Sequence, residues 1–364
     1  MALETVSVDR VRKELRSAIQ RELPLLEDLR QQVRKLKVID LGYRQAYAIA
    51  PVATDGGENR LSFDPLNVEI LRVVDSDGRE RFQKIVPLSG GVDVIRSAFN
   101  PDSPDRVQIL VNLLERLGVS YGGLSELLEA GTDRGDLRTA IRHFRDIAEW
   151  AVLLDLAWTP SQGRVLVLRD GMLRTMALAP NVVPKLAKSF EDAHRETGSL
   201  LVGVAKRAKV LNYLSLALAL ERPFSRRAPC FCEVPEDLER RAYRWARAWL
   251  EGHSFGRLHL AKLSEQPDAV VLPVDIPPWL LGRRREVLEY LAEASKASFP
   301  TIGYPEPLIR AHELAVLHGL EMSVLEDMMV DELMKMQSDA DRDTTLEHVS
   351  LGHGLQRGGW KEYG

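Results

Sequence analysis

The segment RVLVLRDGML, Arg164–Leu173, decides the fold. Four apolar residues, Val165 to Leu168, follow one another with no polar face between them. Such a run suits a central strand covered on both sides. It stops at Asp170, and Gly171 follows at once. A carboxylate at the end of a buried strand is costly unless it is paired or holds a cation. A glycine beside it lets the backbone turn sharply and approach a ligand. Asp170 therefore marks a candidate active site at a sheet edge.

The same grammar occurs twice more. LKVIDLGYR, Leu36–Arg44, closes a short apolar run at Asp40, with Gly42 two residues on. LLVGVAKRAK, Leu200–Lys209, leads an apolar run into Lys206, Arg207 and Lys209. Lysine serves phosphate as a point charge, so these three are candidate nucleic-acid contacts, and Tyr213 is near enough in sequence to join them. AVVLPVDIP ends a further run at Asp275, but Pro277 and Pro278 follow, so Asp275 reads as a turn initiator. ATDGGEN, Ala53–Asn59, and DSDG, Asp75–Gly78, read as turns between strands of a meander.

Helical spacing dominates elsewhere. Val8, Val11, Leu15 and Ile19, then Leu26, Leu29, Val33 and Leu36, mark an N-terminal amphipathic segment that Pro24 should divide in two. Residues 104–158 read as mostly helical. Their last helix carries Glu149 just as it enters the core at Ala151–Leu154, and Arg145 stands one turn earlier. In GYPEPLIRAHELAVL, two prolines precede a helix that carries His312. Residues from Gln337 on are charged and then glycine-rich, which suits a flexible tail.

Composition sets the outer limits. The chain has 364 residues, 45% hydrophobic and 28% charged, with a formal net charge of -4. That is an ordinary soluble composition with no global field for nucleic acid, so any such contact is local. No secretory signal or membrane span is legible. Cys230 and Cys232 are too few for a disulfide framework and suit a reducing cytoplasm, and C-x-C lacks the usual zinc spacing. Walker A, G-x-G-x-x-G and G-x-S-x-G motifs are all missing, which argues against an ATPase, a Rossmann dehydrogenase and an α/β hydrolase.

Taken in order, VID-LG at Asp40, the Glu149 helix, LRDGML at Asp170, VGVAKR at Lys206 and GYPEPLIRAHELA at His312 resemble the NurA family of DNA-repair nucleases. The likeness runs from about residue 36 to 320. The family's first motif commonly reads D-G-S, whereas Asp40-Leu41-Gly42 stands here, and the stretch between Asp40 and Glu149 is long.

The resemblance implies an α/β fold with an RNase H-like mixed-sheet core flanked by helices. It also implies a homodimer, Mn²⁺-dependent cleavage of DNA, and a HerA-type hexameric translocase as partner. Domain organisation follows: a helical segment over 1–35 for dimer or partner contact, a nuclease domain over 36–320 with a helical insertion near 100–157, and a helix with a tail over 321–364. Phosphodiester hydrolysis needs an activated water and neutralisation of the leaving oxygen, which paired divalent ions can supply. Asp40, Glu149, Asp170 and His312 are the expected ligands for Mn²⁺, with Mg²⁺ as the other hard cation such a set would take. His312 could instead protonate the leaving group, and Lys206 would neutralise the scissile phosphate. The alternative is a non-catalytic DNA-clamping or assembly subunit of a HerA-type complex, in which the altered first motif reflects lost chemistry.

Overall fold

The computed structural model describes residues 5–43, 49–63, 66–128, 134–160, 164–247, 252–338 and 341–342. Trunk and layers follow from one mixed sheet of nine strands in the order β1-β7-β8-β9-β6-β5-β2-β3-β4. In its interior lies β5 (Arg164–Asp170), parallel to both β2 (Ile49–Phe63) and β6 (Leu200–Val204). Beyond β2 runs an antiparallel meander of β3 (Leu66–Asp75) and β4 (Glu80–Pro87). Beyond β6 lie β9 (Val271–Ile276), β8 (Arg257–Lys262), β7 (Cys230–Glu233) and the two-residue β1 (Ile39–Asp40), all antiparallel to their neighbours.

The all-apolar reading of β5 holds because both faces are covered. Val167 packs with Leu201 and Leu71 on the side of α5 (Arg134–Trp158) and α6 (Val183–Thr197). Leu166 and Leu168 pack with Val202, Val204 and Ala53 on the side of α9 (Arg284–Ala294) and α10 (Glu306–Ala315). A third cluster joins α1 (Thr5–Lys35), α7 (Lys209–Glu221) and α8 (Glu236–Trp245) to the β7–β8 end of the sheet. The helices α2 (Gly91–Phe99), α3 (Gln108–Leu117) and α4 (Tyr121–Leu124) lead into α5, and α11 (Gly319–Met336) follows α10. No helix among the described residues is long and apolar enough to cross a membrane.

Three local expectations are corrected. Pro24 does not divide α1, which runs unbroken through it. The carbonyl that loses its helical partner belongs to Gln20, which is exposed, so water can satisfy it. ATDGGEN is no turn: it lies inside β2 and pairs residue for residue with β3, from Thr54↔Asp75 to Asn59↔Ile70. Its glycines serve close approach instead, as described below. Asp275 is no turn initiator either. It is fully buried within β9, where Oδ2 accepts from the Leu173 amide at 2.9 Å and from the Arg174 guanidinium at 3.1 Å. DSDG does form the β3–β4 turn, with Gly78 at φ +83°. The tail from residue 343 on lies outside the described residues.

Candidate metal centre

The parallel register sets Thr54 against Arg169, so the next residues, Asp55 and Asp170, stand side by side where β5 ends. Strand alternation sends both side chains to the α10 face, since Ala53 and Leu168, two residues earlier, pack there. Helix α10 crosses that face and brings His312 down, its Nδ1 2.6 Å from Asp55 Oδ2. Asp55, Asp170 and His312 thus offer one ligand atom each within 4.8 Å of one another. Two carboxylates and an imidazole are a donor set that fits a divalent cation such as manganese. Electrostatics agree: burial, and then the like charge of Asp170, push the Asp55 carboxyl above its ordinary pKa, opposed by His312. A cation between them would relieve that strain of charge.

Two further groups hold Asp170. The Tyr304 hydroxyl donates to Oδ1 at 2.8 Å, and Lys206 Nζ lies 3.5 Å from Oδ2 and 5.2 Å from the Tyr304 ring centre. Burial and the Asp170 charge push the Tyr304 phenol far above its usual range, so it remains a donor. Gly171, at φ +135°, then turns the chain back over β6. That return requires Gly203, where a Cβ would sit 2.7 Å from the Gly171 carbonyl oxygen.

Glu149 approaches from the other face. Its Oε1 occupies the space that a side chain at position 56 would fill, 2.3 Å from an ideal Cβ built on Gly56. Arg145 Nε is its ion-pair partner at 3.5 Å. Burial is the largest influence on its carboxyl and the charge of Asp146 the next; with Asp55 they raise its pKa to about 8, against Arg169 and Arg145. Glu149 therefore lies beside the three-residue cluster, separated from it by the β2 backbone.

Asp40 is elsewhere. It sits on β1 at the far edge of the sheet, five strand steps from β5, or about 24 Å at the usual strand spacing. It is half exposed and pairs with Arg226 at 2.8 Å. It cannot share an ion with Asp170. Asp55 is the member of the cluster that the sequence motifs do not single out: Asp55-Gly56 repeats the acid–glycine step of Asp170-Gly171, but the same D-G-G also reads as a turn.

Of the candidate nucleic-acid contacts, Lys206, Arg207 and Lys209 are exposed just past the end of β6, and Lys206 reaches the cluster. Tyr213 instead packs against Trp245, ring centres 5.3 Å apart, between α7 and α8. Cys230 and Cys232 are buried free thiols, and burial raises them to about 11 and about 12.

No protein-family model matches the chain, and no curated protein matches it by sequence. Its fold is similar to solved NurA structures. The NurA nuclease from Sulfolobus solfataricus aligns over 93% of this chain and 99% of its own, at 12% identity and a TM-score of 0.48. A NurA structure bound to dAMP and manganese aligns over 95% of this chain and 100% of its own, at 12% identity and a TM-score of 0.39. A further NurA structure aligns over 94% and 100%, again at 12% identity, with a TM-score of 0.40.

Proposed function

We propose that the protein is a metal-dependent DNA nuclease of the NurA type. The observation that carries this reading is the convergence of Asp55, Asp170 and His312 within 4.8 Å, with Lys206 beside them. A divalent cation held by these three, Mn²⁺ or Mg²⁺, would polarise a phosphoryl oxygen and lower the pKa of a bound water. The chain's own groups do the rest. Lys206, exposed at the rim, meets the phosphate and offsets its charge. Tyr304 keeps Asp170 in one orientation through a single hydrogen bond. Glu149, behind the β2 backbone, supports the strand that carries Asp55 by filling the space beside Gly56.

The same reading extends to an RNase H-like classification of the sheet, to a homodimer, and to a HerA-type hexameric ATPase that delivers DNA during end resection or defence. Location in the cytoplasm accords with the two free thiols. The exposed basic run Lys206, Arg207, Lys209 supports a nucleic-acid substrate. The alternative of a clamping subunit without chemistry drew on the altered motif at Asp40. Asp55-Gly56 supplies an acid–glycine pair within the cluster, which favours catalysis.

The test is degradation of linear DNA with and without Mn²⁺, with Asp55→Asn and Asp170→Asn as controls. Degradation that needs the metal and is lost in both variants supports the assignment. Cleavage that survives both substitutions, or no cleavage by the unsubstituted protein, refutes it.

A further inference from the structure

The loop after β5 is held by a buried ion pair on the face opposite the metal centre. Arg169 precedes Asp170 and points the other way along the strand alternation. Its guanidinium donates to the carbonyls of Met172 at 2.7 Å and Arg174 at 2.9 Å, and pairs with Asp146. It also lies 4.0 Å from the centre of the Trp150 ring. The second oxygen of Asp146 accepts from the Thr175 hydroxyl. Asp146 stands on α5 one turn before Glu149, and the Arg169 side chain is only 8% exposed. Residues 169–175 are thereby tied back on themselves and onto the helix that carries Glu149.

We infer that Arg169 and Asp146 are positioning residues, which fix Asp170 against Asp55 and set α5 at its distance from β2. The inference rests on the metal-centre reading above. A buried ion pair must satisfy its remaining donors and acceptors with further hydrogen bonds, and the place of those partners shows what the pair holds. Here every other hydrogen bond of the pair goes to the segment that follows Asp170: Arg169 donates to two backbone carbonyls there, and Asp146 accepts from the Thr175 hydroxyl. Support of this kind behind a metal ligand commonly changes metal affinity about 10- to 100-fold when removed.

The experiment compares Arg169→Lys, Thr175→Val and Thr175→Ser in the full chain. Lysine keeps the charge but loses the fork that reaches both carbonyls through Nη1 and Asp146 through Nη2. Valine removes two hydrogen bonds at nearly constant shape, the one the Thr175 hydroxyl donates to Asp146 and the one it accepts from the Ala177 amide, and serine restores both. Mn²⁺ affinity is read by calorimetry and by the Mn²⁺ electron-resonance signal, folding by circular dichroism, and DNA cleavage as kcat and KM separately. We expect Arg169→Lys and Thr175→Val to fold, to bind Mn²⁺ about tenfold more weakly, and to lose kcat with KM for DNA little changed; Thr175→Ser should match the unsubstituted protein. Folded variants with unaltered Mn²⁺ affinity and kcat overturn the inference while leaving the nuclease reading intact. Variants that lose only thermal stability, with normal affinity in the folded protein, also overturn it. Failure of the unsubstituted protein to bind Mn²⁺ overturns both.

Discussion

His312 Nδ1 lies 2.6 Å from Asp55 Oδ2, across 257 residues of sequence. That contact ties α10 to the long strand β2 and completes the only cluster of three metal-ligating side chains among the described residues. It also separates Asp55, which stands beside Asp170, from Asp40, which pairs with Arg226 at the far edge of the sheet.

Asp55→Asn and Asp170→Asn should each abolish Mn²⁺ binding and lower DNA cleavage by roughly a hundredfold or more, because each removes a charged ligand from the cluster. Asp40→Asn should leave cleavage unchanged, since Asp40 makes only a half-exposed ion pair with Arg226 at the far edge of the sheet. Side-by-side rates for the three variants decide this, and a dead Asp40 variant with a live Asp55 variant would reverse the assignment.

Tyr304→Phe isolates one hydrogen bond. The ring is fully buried and stays packed, while Asp170 Oδ1 loses its donor at 2.8 Å. Stability should fall by about 1 kcal/mol, measured by urea denaturation. Cleavage should fall about tenfold as Asp170 gains freedom to rotate.

The two adjacent glycines of β2 should differ in their response to alanine. At Gly57 the new Cβ would meet the Ala315 backbone oxygen at 2.0 Å, so α10 itself must shift. A loss of about 1–3 kcal/mol or more follows from such overpacking, and His312 moves with the helix. At Gly56 the obstacle is the far end of Glu149, which can swing aside. Gly56→Ala should therefore cost activity more than stability, as thermal melts and rate measurements on both variants would reveal.

Glu149 makes stability depend on pH. Its folded-state pKa, about 8, lies above the ordinary value of 4.5. The unfolded chain thus releases this proton first, and stability drawn from the neutral carboxyl is complete below pH 4.5 and lost as pH rises through 8. In metal-free protein, Glu149→Gln should melt higher than the unsubstituted chain at pH 9, with the gap closing toward pH 4.5. Equal melting temperatures at pH 9 would contradict the burial of an ionisable group at this position.

The amino-acid order alone determined the central strand and the acid that ends it. An unbroken apolar run can be stable only with both faces covered, and that constraint is local to Val165–Leu168. It likewise yielded β6 with the basic run after it, the helix bearing His312, and the helix bearing Glu149. Which acids meet was decided by strand order. Asp40 and Asp55 both have a glycine nearby, and although Asp55-Gly56 repeats the step of Asp170-Gly171, that local likeness does not say which acid meets Asp170. The sheet sends one to its far edge and sets the other beside Asp170. The two glycines were legible only as chain-breakers, because the reason they are tolerated inside a strand is the Glu149 carboxyl and the Ala315 carbonyl pressing on them from α5 and α10. Contacts of that kind join residues 93 and 258 positions apart, and packing settles them where periodicity cannot.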